Sequence, residues 1–299
     1  IVRVLDQVEA ADKDPAFDAA VTGEFTINHD FNELASRDLE KGELLIGMPA
    51  ALIVLLLVFG AVVAALLPMG IAIVSIIVTV ALSALVGQAV TLSFFIVNMV
   101  TAMGLALGID YSLFVLSRYR EERHNGLQKT DAIIASGATA SKAVLFSGSS
   151  FVVALFGLLL VPDTILRSLA FGAILVGIVT VIAALTLLPA LLALLGDRVN
   201  AMRLPFFGRE QHGESPFWAR AVRGVVRRPV SALVASVLLL LVLAAPVLDL
   251  RTGNAGVSSL PDNTFSKAGF LSLERNFPGS VSTDPAQVVI AGDLRTPEA

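Results

Sequence analysis

The sequence predicts an all-α polytopic membrane helix bundle of six transmembrane helices, with partial α+β extracytoplasmic segments at both ends. Three observations predict it. Apolar residues fill 56% of the 299 positions and charged residues only 15%, with a mean hydropathy of +0.81, whereas soluble domains carry about 25% charge. A water-soluble fold of this size could not hide so much apolar surface, so part of the solvent is lipid. Six apolar stretches approach the roughly 20 residues that a helix needs to cross the hydrocarbon core. Lys and Arg gather in alternate connections between them, as membrane insertion demands.

The same numbers exclude several classes. A net charge of −4 and a pI near 5.4 argue against a nucleic-acid partner. There is no Cys, and the three His (His29, His124, His212) lie far apart. Disulfides, thiolate sites and a local HExxH-type metal site are therefore excluded. No Walker loop and no GxSxG motif occurs. No enzyme, cofactor or metal is expected, and energy would come from an ion gradient.

Taken in order, residues 1–43 are acidic, with eleven Asp and Glu against four Lys and Arg. Val21, Phe25 and Ile27 alternate like a short strand, and residues 32–45 read as a helix running into the first span. Residues 44–199 form a bundle with spans at 44–67, 69–86, 92–116, 144–161 and 165–195. Links at Pro68 and 87–91 are short enough to make the first three spans antiparallel neighbours. Pro189 is expected to kink the fifth span or end its membrane part. Residues 118–142 read as a cytoplasmic helix with Ala132, Ile133, Ala135 and Ala140 as a small-residue face. Residues 200–229 combine Arg with Phe206, Phe207, Phe217 and Trp218. An interfacial helix on anionic lipid would fit, but an ordinary membrane-flanking linker fits the composition better. Residues 230–248 form the sixth span. Residues 249–299 are turn-rich, with Val288, Val289 and Ile290 as a strand. The opening at Ile1 and the strand-like run before Ala299 suggest a piece of a longer protein, each end being part of a separate extracytoplasmic domain.

Of the 21 Lys and Arg, 12 lie in the connections after the third and fifth spans. This places both connections in the cytoplasm and both chain ends outside.

One residue interrupts the apolar pattern: Asp110, inside the third span. A carboxylate mid-helix costs roughly 2.5–3.5 kcal/mol on insertion scales, so such residues usually mark ion or substrate pathways. Arg118, about 12 Å further along the helix, is a poor partner. On a helical wheel Asn98, Thr101, Gly104, Gly108, Tyr111 and Ser112 share one broad face, and Asp110 lies well away from its centre. No clean lipid-facing stripe remains, so this helix belongs in the centre of the bundle. Gly104 and Gly108 form a small-xxx-small pair that permits close approach. Asn98 and Thr101 could hydrogen-bond to a neighbour. Ser147, Ser149 and Ser150 open the fourth span near the depth of Asp110. A relay of Asp110, Tyr111 and these serines can be drawn, in which burial would raise the Asp110 pKa. Asp110 could instead be a polar anchor, Tyr111 a packing aromatic, and Ser149 and Ser150 small packing residues.

The run Gly104-Leu-Ala-Leu-Gly108-Ile-Asp110-Tyr111-Ser-Leu-Phe-Val-Leu-Ser-Arg118-Tyr-Arg120-Glu-Glu122 closely resembles the signature of the MMPL family. These are bacterial exporters of lipids and hydrophobic compounds in the resistance–nodulation–division (RND) superfamily. Thr139 to Ser149, Leu188-Pro189 and the segment from Leu44 to Pro68 extend the similarity over essentially the whole chain. Lys142 stands where relatives often have Arg.

The resemblance implies twelve spans in two repeats, each with a large extracytoplasmic porter domain. This chain would hold the end of the first porter domain (1–43), spans two to six in a sterol-sensing-domain-like bundle (44–199), a cytoplasmic linker (200–229), span seven (230–248) and the start of the second porter domain (249–299). It also implies that Asp110 and Tyr111 are the proton-coupling pair, matched by a second pair in a missing C-terminal half. The expected function is proton-driven export of lipids or other hydrophobic compounds across the bacterial inner membrane. The expected partners are H⁺, membrane lipid, a hydrophobic substrate and that missing half. A sterol-sensing-like or protein-export accessory module without transport of its own is the alternative.

Overall fold

A computed structural model describes residues 4, 7, 8, 10, 11, 19, 21–93, 95–203, 216–249, 257, 260–262 and 264–277. The chain divides into two units, residues 35–215 and residues 1–34 with 216–299. Nine α-helices occur among the described residues: α1 (Glu24–Arg37), α2 (Met48–Phe59), α3 (Val62–Val86), α4 (Ile96–His124), α5 (Lys129–Leu158), α6 (Thr164–Leu195), α7 (Pro216–Arg227), α8 (Pro229–Ala244) and α9 (Phe265–Asn276). Six helical stretches are long and apolar enough to cross a membrane. No strand forms among the described residues, where the one β contact is an isolated antiparallel bridge between Ala61 and Arg203.

In the unit of residues 35–215, α4 and α6 pack on each other and on both α3 and α5, and α2 packs on α3. One buried cluster runs from Leu55 and Phe59 through Tyr111, Leu116 and Tyr119 to Leu188 and Leu192. A smaller one, around Ile96, Val100 and Val176, lies towards the other end. Large apolar side chains such as Leu57, Ile77, Phe146, Val153 and Ile182 remain outside. That is the surface expected where the surroundings are hydrocarbon.

Three boundaries differ from the sequence expectation. The first turn falls at Gly60, not Pro68. Gly60 takes a left-handed φ of 61° and ends α2, its N–H donating to the Leu56 carbonyl. Such a backbone costs an L-residue about 1–2 kcal/mol and costs glycine nothing. Pro68 sits inside α3, where the neighbouring helices make the lost hydrogen bond tolerable. Next, residues 118–142 are not a separate helix. α4 continues to His124 and α5 starts at Lys129. Finally, Phe25 and Ile27 lie in α1, where Ile27 N–H donates to Gly23 O at 2.9 Å, so the alternation there was not a strand. The expected strand at Val288–Ile290 lies outside the described residues. Pro189 stays inside α6, which runs on to Leu195.

The ends of the bundle are tied by polar contacts. Arg120 donates to the Phe59 carbonyl at 3.1 Å and stacks over the Phe59 ring at 5.4 Å. Arg123 pairs with Asp197, and Lys129 donates to Ala193 O at 3.0 Å. The basic residues therefore cap the last carbonyls of α2 and α6, which the helices leave unsatisfied. These contacts, with the Ala61–Arg203 bridge, gather the first, third and fifth connections at one end. At the other end Ser93 N–H donates to Ser168 Oγ at 3.0 Å.

In the other unit, Gly269 of α9 packs directly on the Val21 backbone: a Cβ there would stand 2.6 Å from the Val21 carbonyl oxygen. Asp30, Ser266, Val257 and Leu260 are buried around this contact.

Candidate functional site

α4 is the central helix. Buried residues make up 44% of its most apolar window, against 33% for α3 and 28% for α6. The reason is visible in the sequence: its inward positions include the small residues Thr101, Gly104, Gly108 and Ser112, which let three neighbours approach. A Cβ on Gly104 would meet Ile76 Cγ1 at 2.5 Å and Val176 Cγ2 at 3.1 Å. One on Gly108 would meet the Ala72 Cα at 2.5 Å. The two glycines therefore set the α3–α4 crossing, and Gly108 does so against backbone.

Thr101, Gly104, Gly108, Tyr111 and Ser112 are all buried, and Asn98 is half-buried. Asn98 Nδ2 donates to the Ala35 carbonyl at 2.9 Å. Thr101 Oγ1 donates back to Val97 O on its own helix at 2.9 Å. Ser112 is fully buried, and its Oγ has no hydrogen-bond partner among the described residues.

Consecutive helical residues differ by about 100°, so Asp110 and Tyr111 face different surroundings. Tyr111 is 7% exposed and belongs to the core. Asp110 is exposed on the outward side of α4, on a stripe with Ala102, Ala106, Phe114 and Ser117. Burial of Asp110 by this unit alone, on which the relay drawn from the sequence relied, is therefore not found: α4 turns its carboxylate away from α3, α5 and α6.

The α5 residue that meets Tyr111 is Gly148. A Cβ there would stand 3.6 Å from the Tyr111 hydroxyl oxygen and would collide with Val181. Ser149 and Ser150 are exposed, so the structure brings the glycine, not the serines, to the phenol. Gly148 ends a buried stripe of Ala132, Ser136, Ala140 and Val144. The four-residue spacing of small side chains was the signal for it in the sequence. Arg118 pairs with Glu121 at 2.7 Å and Glu122 at 2.6 Å. It lines a groove of about 360 Å³ with Phe114, Ser117, Glu121 and Thr139. A second, apolar cavity of about 290 Å³ lies near the far end of α4, between Val80, Ser83, Leu92 and Val97. Among the described residues, no three His, Asp or Glu gather as a metal site would require.

A carboxylate next in sequence to a buried phenol, on the central helix of a chain with six helices long and apolar enough to cross a membrane, fits a polytopic membrane protein. The MMPL family model matches residues 1–232, and the chain belongs to that family. It is 40% identical over 210 residues to the mycolic acid-containing lipids exporter MmpL11 of Mycolicibacterium smegmatis, covering 70% of this chain and 22% of that protein. It is 36% identical over 259 residues to the heme uptake protein MmpL11 of Mycobacterium tuberculosis, covering 84% and 26%. It is 30% identical over 274 residues to the trehalose monomycolate exporter MmpL3 of the same organism, covering 82% and 29%. The chain thus spans between 22% and 29% of the length of these curated relatives.

Proposed function

We propose that this chain is part of the transmembrane core of a secondary transporter that uses proton movement to export lipids or other hydrophobic compounds across a bacterial plasma membrane. Asp110 and Tyr111 are its proton-coupling pair. Both chain ends lie on the extracytoplasmic side, as parts of porter domains, and the connections rich in Lys and Arg lie in the cytoplasm.

The observation that carries this reading is the outward placement of Asp110. A carboxylate facing hydrocarbon costs roughly 2.5–3.5 kcal/mol. On α4 it shares its stripe with Ala102 and Ala106, residues small enough for another helix to approach closely. We infer that the remainder of the full-length protein covers this stripe and encloses Asp110 in a polar seam, where it gains and loses a proton. Tyr111, the next residue of the helix, lies on the inward side beside Gly148. Asn98 and Thr101 serve helix packing, and the exposed Ser149 and Ser150 take no part in the pair. The relatives are named for export of mycolic acid-containing lipids, uptake of heme and export of trehalose monomycolate. Membership of the family therefore supports a hydrophobic substrate, without fixing which one.

The test is Asp110→Asn in the full-length protein, with export and membrane expression measured together. Export is expected to stop while expression and folding persist, and collapse of the proton gradient should stop export by the wild type. Continued export by the variant would make Asp110 an anchor and favour a sensing or accessory role.

A further inference from the structure

α7 separates its residues more sharply than a linker requires. At 100° per residue, Arg220, Arg223 and Arg227 fall within an arc of about 60°. The positions opposite them are Trp218, Val222 and Val225. Val222, Val225 and Val226 are 58%, 54% and 70% exposed, and all three arginines are exposed.

The helix ends at Arg228, whose φ of −138° and ψ of 66° leave helical geometry, and Pro229 starts α8. The helix is thus tethered, one residue away, to a stretch apolar enough to cross a membrane (Pro229–Asp249), without continuing it as one rod. A 12-residue helix is marginal in water on its own, so a surface that takes both faces would stabilise it.

We propose that α7 is an anionic-lipid-binding helix lying in the headgroup layer beside the start of α8. Arg220, Arg223 and Arg227 meet phospholipid phosphates, and the opposite face, with Val222 and Val225, enters the acyl boundary. Charge decides the occupant. An apolar face backed by three aligned arginines matches an interface that is apolar below and anionic above. Each arginine near such a surface favours binding about five-fold, so the three together favour it by roughly 100-fold over a neutral surface.

Trp218 is the only Trp of the chain, so its fluorescence reads this helix alone. The 299-residue chain is reconstituted in vesicles of phosphatidylcholine, with or without phosphatidylglycerol, that carry lipid brominated near the carbonyl end. The expected result is blue-shifted emission, quenched by the bromolipid more strongly when phosphatidylglycerol is present, with the excess removed by about 1 M salt. Changing all three arginines to Gln should abolish the lipid-charge dependence. Changing them all to Lys should keep it. Val222→Ser with Val225→Ser should leave Trp218 unquenched in both vesicles. Water-like emission in every vesicle would mean a solvated linker. Blue-shifted but unquenched emission would mean a protein cover. Equal quenching with and without phosphatidylglycerol would mean that the arginines do not recognise charge. Each of these three results overturns the proposal, and the salt and lipid titrations decide it on the unsubstituted chain.

Discussion

Asp30 and Ser266 stand 236 positions apart in the sequence and meet in a buried hydrogen-bonded pair. The Asp30 carboxylate, 7% exposed, accepts from the Ser266 N–H at 3.1 Å and from the Ser266 hydroxyl. Ser266 lies in the first turn of α9, so a side chain of α1 supplies the N-terminal cap that α9 lacks from its own Thr264. Capping by a carboxylate also suits the positive end of the helix. Asp30→Ala is expected to destabilise this unit by about 1–2 kcal/mol. Combined with Ser266→Ala, it should lose clearly less than the sum of the two single changes. Thermal unfolding of the four proteins in detergent checks this; additive losses would mean that the two residues act independently.

The α3–α4 crossing should be intolerant at Gly108 in particular. A Cβ there would meet the Ala72 backbone, which cannot rotate away, whereas at Gly104 it would meet the side-chain ends of Ile76 and Val176. Gly108→Ala should cost about 1–3 kcal/mol through forced separation of the helices. Gly104→Ala should cost less, since side chains can shift. Melting temperatures of the two variants measure the order, and a larger loss at Gly104 would contradict it.

Tyr111 offers a separation of packing from chemistry. Its ring is buried and lies against Gly148, so Tyr111→Ala should cost about 3–5 kcal/mol, as other large-to-small aromatic changes do. Tyr111→Phe keeps the ring and should cost under about 1.5 kcal/mol. If the hydroxyl takes part in proton coupling, Tyr111→Phe in the full-length protein should nevertheless lose most of its export. Wild-type export by a stable Tyr111→Phe protein would reduce Tyr111 to a packing residue.

Asp262 carries a pH-dependent contact outside the spans. The hydrogen bond and charge of Lys267, 2.7 Å away, hold its carboxyl below the usual 3.8. A folded-state pKa below the unfolded one gives stabilisation that is present above the unfolded value and lost as pH falls through the folded value. Any contribution of this pair is therefore intact at neutral pH and disappears below about pH 4. A carboxyl carbon-13 titration should place the Asp262 midpoint below 3.8, and Lys267→Met should return it to the ordinary range.

Much of the architecture was legible in the sequence, and the misreadings are local. Six apolar stretches were counted and six candidate spans form, since apolar surface adds residue by residue along one helix. The wheel of α4 separated the side that became buried from Asp110, because helical angle is fixed by backbone geometry alone. Pro68 was read as a turn because proline breaks helices in water. Among packed apolar helices it sits within α3, and the turn fell at Gly60, where a left-handed residue was needed. Phe25 and Ile27 alternate as a strand would, but an alternation of three residues has no weight against the helix that starts at Glu24. Composition favoured a plain linker over residues 200–229; the angular order of Arg220, Arg223 and Arg227 emerged only once α7 was laid out as a helix.

By itself, then, the sequence determined that the chain forms helices apolar enough to cross a membrane, which connections share a side, and that Asp110 interrupts the apolar pattern of α4 next to Tyr111. These follow from hydrophobicity, charge and helical period, which are properties of single segments. Only the tertiary structure decided that Gly148 meets Tyr111, that Gly108 rests on the Ala72 backbone, that Asp30 caps α9, and that Asp110 faces outward from its own bundle. These depend on which surfaces of distant segments come within a few ångströms of each other, and no single segment carries that information.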